Sequence, residues 1–207
     1  MSETNPNSRL EAFCDGVFAI ALTLLIIDIR IPSTEKINST ADFWLALKHI
    51  APSILAFVLS FTIILITWVN HHNSLKLLNK ISNSFIYANG FLLLTVVFLP
   101  FPTSLLGEYV LTDHAAPAVI LYNSTLVVQA FGWTLLTGSA LKDQLTKNEK
   151  STLTIRESRK FSFFAFVLYS LCAIAATWFP LTIAIVTTLS WLFWLIYGFS
   201  IKQEKMN

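Results

Sequence analysis

The stretch that decides the fold runs from Arg9 to Arg30, RLEAFCDGVFAIALTLLIIDIR. Between Asp15 and Asp28 lie 12 residues without a formal charge, fewer than the about 20 that a single helix needs to cross a bilayer. Carboxylates at the ends of such a run are costly against lipid and usually face a bundle interior or a watery path. The segment over about 9–31 is therefore expected to be a helix inside an assembly. The plainer alternative is an interfacial helix that never crosses. Helical spacing puts Ile20, Thr23, Leu24 and Ile27 on one face, and Phe13, Gly16 and Val17 continue the stripe. Ordinary packing is one reading of that face. The other is that several copies surround a pore. Rings of Ile then form a neck that gates ions by dewetting, and Thr23 hydroxyls replace part of an ion's hydration.

Working outward, the rest of the chain is a series of charge-free runs. Lys48 and Lys76 bracket 27 such residues, Lys80 and Glu108 another 27, Asp113 and Lys142 bracket 28, and Lys160 and Lys202 bracket 41. The first three runs predict one span each. The last predicts two, broken at Pro180, because proline removes a helical donor. The expected helices are 9–31, 50–73, 82–106, 115–140, 161–179 and 181–201, forming one six-helix transmembrane domain over 1–207. Of 207 residues, 55% are hydrophobic and only 13% charged, which nearly excludes a water-soluble globule. A net charge of +2 gives no reason to expect a nucleic-acid partner.

Positive charge sets the expected orientation. Eleven of the 14 Lys and Arg fall in the N-terminus, two alternate loops and the C-terminus, and Arg30, Lys36 and Lys48 make up the rest. That asymmetry holds only if the first helix crosses, so six spans with both termini cytoplasmic are expected. The leader MSETNPNS lacks the basic region of a cleavable signal. Cys14 and Cys172 are expected as free thiols, and 142–160 as a cytosolic helical connector.

A second polar cluster, TWVNHHNSLK, closes the second span, with Trp68, Asn70, His71, His72 and Asn73 at the depth expected for Asp15. Three readings stand: interfacial decoration, a metal site, or a lock in which Arg9 and Asp15 hydrogen-bond with Trp68, Asn70 or His71. Adjacent histidines diverge by about 100° on a helix, so no tightly bound metal is expected. In the third span, Gly90, Pro100 and Pro102 read as bend and cap residues. In the fourth, Gly132, Gly138 and Ser139 favour close helix packing, while Tyr122, Asn123, Ser124 and Gln129 are candidates for a small-solute site. Trp178, Trp191, Trp194 and Tyr197 read as interfacial belt aromatics. There is no TVGYG filter, no S4-like arginine series, no Walker A motif and no GxSxG, so no enzyme and no cofactor are expected. A proton- or cation-coupled transporter using Asp15 or Asp28 is the alternative to a channel.

The first helix resembles the signature of the transmembrane protein 175 family of potassium channels: a basic residue, three variable positions, then Phe-Ser-Asp. Here the match is Arg9-Leu-Glu-Ala-Phe13-Cys14-Asp15, with Cys14 in the Ser position. Trp68 and His71 resemble the Trp/His cluster against which that family's first helix packs. The length resembles its single-repeat prokaryotic members. The resemblance implies a homotetramer in a prokaryotic inner (plasma) membrane, with the first helices lining a central pore. It implies passive conduction of potassium and other monovalent cations, with potassium as permeant species. The narrowest apolar ring maps onto Ile20, and further layers onto Thr23 or Leu24 and then Ile27. Arg9, Phe13, Cys14, Asp15, Trp68, Asn70 and His71 map onto structure supporting the pore helix.

Overall fold

A computed structural model of the chain describes residues 7–27, 29–30, 32–33 and 37–204, with side-chain surroundings not described at 192, 193 and from 195 on. The described residues are all-α. In chain order the helices are α1 (Ser8–Leu24), α2 (Thr40–Lys76), α3 (Asn83–Phe98), α4 (Pro100–Tyr109), α5 (Ala115–Lys142), α6 (Glu149–Ala175) and α7 (Pro180–Glu204). α3 and α4 form one bent unit, which leaves six helices. Four stretches are long and apolar enough to cross a membrane: Thr40–Lys76, Asn83–Tyr109, Ala115–Lys142 and Glu149–Ala175. α1, at 17 residues or about 25 Å, falls short of a hydrocarbon core of about 30 Å.

Helix ends depart from the expected bounds where charge and helicity part company. α2 begins at Thr40 rather than near 50. Ser39 caps it by accepting from the Asp42 amide at 3.1 Å, and Asp42 places negative charge at the positive end of the helix. α6 begins at Glu149 rather than 161, where Asn148 Oδ1 accepts from the Ser151 amide at 2.9 Å. The expected 142–160 connector is thus a six-residue link followed by the basic first turns of α6. α1 ends at Leu24, and Ile27 sits in the turn beyond it, its amide bonded to the Leu24 carbonyl at 3.1 Å.

The α3–α4 bend follows from Pro100. The Val96 carbonyl would receive the amide of residue 100 in an uninterrupted helix, and proline has none. The Leu99 amide turns to that carbonyl instead, at 3.3 Å. α5 ends in a left-handed residue, Gln144 at φ 50°, whose neighbours close the end: Leu145 N to Ala140 O at 3.0 Å and Gln144 N to Leu141 O at 3.3 Å. The link that follows is clasped to the α2–α3 link by Asn79 N to Leu145 O at 2.8 Å and Lys147 N to Leu77 O at 2.9 Å. Asn7 Nδ2 also reaches the Leu78 carbonyl, at 3.3 Å. Ser82 Oγ donates to Asp143 at 2.6 Å, and Ser84 Oγ donates to the same carboxylate oxygen. These two hydroxyls hold the Asp143 carboxyl below its usual range. Asn7 and the two links therefore gather at one end of the bundle.

α5 is the hub, packed against α3, α4, α6 and α7, whereas α1 packs chiefly on α2 and α3. Gly132 permits the approach of α5 to α3, since a Cβ there would lie 3.3 Å from Leu92 Cα. Gly107 permits a closer one between α4 and α2, where a Cβ would fall 2.7 Å from Ser53 Cα. Several interior polar groups pair across the helices, while among the described residues Gln129 Nε2 and Trp191 Nε1 are buried without a hydrogen-bond partner. Thr103 Oγ1 donates to Ser60 Oγ at 2.7 Å, Ser60 meets the Tyr122 hydroxyl at 3.1 Å, and Thr187 Oγ1 donates to Asn123 Oδ1 at 2.9 Å. The cavity beside Tyr122 and Asn123 holds about 10 Å3, room for about one water. Of the residues expected to form a solute site, Tyr122 and Asn123 are instead engaged in helix packing, and the space beside them is too small for a solute. Trp191 is likewise no belt residue: it is buried and stacked on Tyr169 at 5.8 Å. Trp178 is exposed, Trp194 packs edge-on against Phe161, and the Tyr197 side chain lies outside the described residues.

Gly107→Ala forces α4 off α2 and is expected to cost about 1–3 kcal/mol in unfolding of the detergent-solubilised chain. Gly90→Ala, where a Cβ meets nothing within 4 Å, is expected to be neutral or stabilising. Equal losses at both positions would contradict this packing.

Candidate functional site

α1 has two unlike faces. Cys14, Phe18, Ala21 and Leu25 are all buried, packed in one cluster with Ile63 and Ile64 of α2 and Leu93 and Val96 of α3. On the opposite side Phe13 is 61% exposed, Ile20 58% and Ile27 71%. Gly16 and Thr23 lie between them, also exposed, and Leu24 is 38% exposed at the flank. The residues expected to form a stripe therefore do share one side of the segment, save Val17, which turns toward the core. The Thr23 hydroxyl donates to the Ile20 carbonyl at 2.9 Å, so its oxygen lone pairs remain outward.

A polar network holds the covered face. Trp68 Nε1 donates to Asp15 Oδ1 at 2.8 Å. Asn89 of α3 donates through Nδ2 to Cys14 Sγ at 3.2 Å, and its Oδ1 lies 2.6 Å from His71 Nε2. Since Oδ1 can only accept, His71 carries its proton on Nε2. The buried His71 ring also packs against Phe18 at 5.4 Å and Trp133 of α5 at 6.4 Å. The next residue, His72, stacks on Trp68 at 5.9 Å, with its Nδ1 2.9 Å from Glu11 Oε1. Four helices thus meet around the first two turns of α1, and each of these polar groups finds a partner rather than lipid or protein carbon.

Two residues expected in this lock stand outside it. Arg9 is exposed, because it lies one turn before Phe13 and shares its outward side. Asn70 is exposed on α2, about 100° round the helix from His71. Conversely, Asn89, Glu11, Phe18 and Trp133 belong to it and were not expected. Asn89 had a signal, as a lone amide within a charge-free run. The two histidines address different partners, and among the described residues no cluster of three or more His, Cys, Asp or Glu is arranged to hold a metal ion. Of the two carboxylates a carrier would use, Asp15 is engaged with Trp68, and Asp28 lies outside the described residues.

The geometry defines a multi-pass helical membrane protein whose first helix is locked on one side and bare and apolar on the other. Comparison with known proteins agrees. Residues 9–100 match the family described as the endosomal/lysosomal potassium channel TMEM175. A potassium channel of Chryseobacterium sp. (strain P1-3) is 31% identical over 178 residues, which are 86% of this chain and 85% of that protein. A potassium channel of Chamaesiphon minutus is 46% identical over 120 residues, a match that spans 58% of this chain and only 59% of that relative. The crystal structure of a lysosomal potassium-selective channel TMEM175 homolog from Chamaesiphon minutus superposes with a TM-score of 0.79 at 32% identity, over 92% of this chain and 98% of that one. The chain belongs to the TMEM175 family, a family of ion channels and not of enzymes.

Trp68→Phe leaves the Asp15 carboxylate without its indole donor and is expected to cost about 1–3 kcal/mol. Asn70→Ala is expected to stay within about 0.5 kcal/mol. Thermal unfolding of the purified chain compares them, and an Asn70 loss as large as the Trp68 loss would contradict the lock.

Proposed function

We propose that four copies of this chain assemble in a prokaryotic inner membrane, termini cytoplasmic, with the α1 segments around a central pore that conducts potassium and other monovalent cations passively. The observation that carries this reading is the outward stripe of α1, with Ile20 58% and Ile27 71% exposed on a helix too short to meet lipid on all sides. An axis shared with identical helices and water gives those side chains a surrounding that suits a short helix. The kinship with channels described as potassium channels supports the permeant ion.

In this reading Ile20 forms the narrowest ring, Thr23 or Leu24 the next layer, and Ile27 the last. The ring of Ile20 side chains repels water when narrow, and an ion without hydration does not pass. Carbonyls of a TVGYG filter are absent from the sequence, so potassium preference comes from neck width and from Thr23 oxygens. Asp15, Cys14, Trp68 and His71 hold the helix and do not touch the ion.

Currents from the chain reconstituted in planar bilayers test this. Ile20→Asn wets the neck, and lowering the barrier by about 1.4 kcal/mol raises flux about tenfold. Unchanged currents and unchanged ion preference would contradict the assignment. Thr23→Ala is expected to shift the reversal potential under bi-ionic potassium/sodium conditions toward weaker preference. A reversal potential identical to the parent's would remove Thr23 from selectivity.

A further inference from the structure

The molecule has a second built feature, far from the α1 stripe in sequence. An open groove of about 740 Å3 runs along the seam of α5 and α6, lined by Thr134, Gly138, Leu141 and Lys142 on one side and Arg156, Arg159, Lys160 and Phe163 on the other. Positions 156, 159, 160 and 163 are one face of α6, and 134, 138, 141 and 142 one face of α5. The Arg159 guanidinium reaches across to Gly138, its carbon 3.9 Å from where a Cβ would stand. Four cations therefore line one groove. Among the described residues the ion pair within 4.0 Å is Glu11 with His72, so none of the four has a carboxylate at that distance. Asp143 accepts from Ser82 and Ser84 and lies in the field of Lys142, so it offsets that one cation in part and leaves Arg156, Arg159 and Lys160.

The groove lies where charge gives way to apolar surface. Lys160 is the last charged residue before the 41-residue run, and the ridge beyond it carries Phe163 (61% exposed), Phe164, Val167, Phe131 and Leu135, all exposed. A basic recess opening onto exposed aromatic and aliphatic side chains matches an amphiphile with an anionic head and an apolar tail. Arginine forks suit phosphate oxygens in particular. A free anion would use the cations and leave the ridge uncovered.

We propose that the α5–α6 groove binds the phosphate headgroup of an anionic phospholipid, with its acyl chains along Phe163, Phe131 and Leu135. Basic pockets between transmembrane helices on the cytoplasmic side suit such headgroups, and each Lys or Arg near a membrane surface contributes a severalfold gain in affinity.

The test uses the full chain, delipidated in neutral detergent, and titrated with phosphatidylglycerol, phosphatidylcholine or soluble glycerol phosphate. Thermal stability and native mass spectrometry are the readouts. Phosphatidylglycerol is expected to stabilise the chain and remain bound about tenfold better than phosphatidylcholine, with glycerol phosphate inert. Arg156→Gln with Arg159→Gln should erase most of that preference while leaving stability in phosphatidylcholine unchanged. Lys147→Gln with Lys150→Gln removes the same charge outside the groove and should leave the preference intact. Three results would overturn the proposal: no preference for the anionic lipid, equal loss from both pairs, or an equal effect of glycerol phosphate alone, which would mark a soluble-anion site. If the arginine pair fails to fold, Gly138→Leu takes its place, since it fills the groove without changing charge. That variant should lose the preference for phosphatidylglycerol, and keeping it would overturn the proposal in the same way.

Discussion

The structure depends on how one short helix is prevented from rotating. Asp15 is held by Trp68, Cys14 by Asn89, and Asn89 in turn by His71, which packs on Phe18 and Trp133. Turning α1 by even one residue, about 100°, would break every one of these contacts and bury the stripe that now faces out. A purely apolar interface between helices in lipid gives little such preference, because acyl chains are as apolar as leucine. Directional hydrogen bonds supply the missing angular constraint. They are placed at one end of α1, and among the described residues the half containing Ile20, Thr23 and Leu24 makes no side-chain hydrogen bond to another helix.

That division of labour explains the composition of the signature. The Phe-Cys-Asp segment mixes a residue facing outward with two facing the bundle. Cys14 is fully buried, and its sulfur accepts the Asn89 amide. The remaining helices form the scaffold for this arrangement. α5 supports α3, which carries Asn89, and α2 carries the indole and both imidazoles. The break at Pro100 and the approach of Gly107 to Ser53 let the α3–α4 unit follow α2 closely.

Much of this was legible in the sequence, for a definite reason. The stripe of Ile20, Thr23 and Ile27 follows from helical periodicity alone, and the charge-free runs mark where apolar helix must lie. Their ends were less legible. A charge marks the edge of the hydrocarbon and not the end of the helix, so α2 and α6 begin about two to three turns before Lys48 and Lys160. The partners in the lock were half visible. Asp15 with Trp68 pairs two conspicuous residues, whereas Asn89 lies 75 residues from Cys14 and 18 from His71. No local pattern connects them, only the topology that brings α3 against α1 and α2. The basic groove was hidden for a similar reason: Lys142 and Arg156 through Lys160 looked like a solvated connector until the helices placed them on facing sides of a seam.

The central claim is that the bare face of α1 encircles an axis shared by identical subunits. A single-particle image of the purified chain in lipid nanodiscs, at a resolution that places side chains, tests it most directly. The expected image has four copies with Ile20, Thr23 and Leu24 closing on a central conduit, and the Asp15–Trp68 contact intact in each subunit. An assembly in which those side chains point into the surrounding acyl chains, or one with no axial passage, would contradict it.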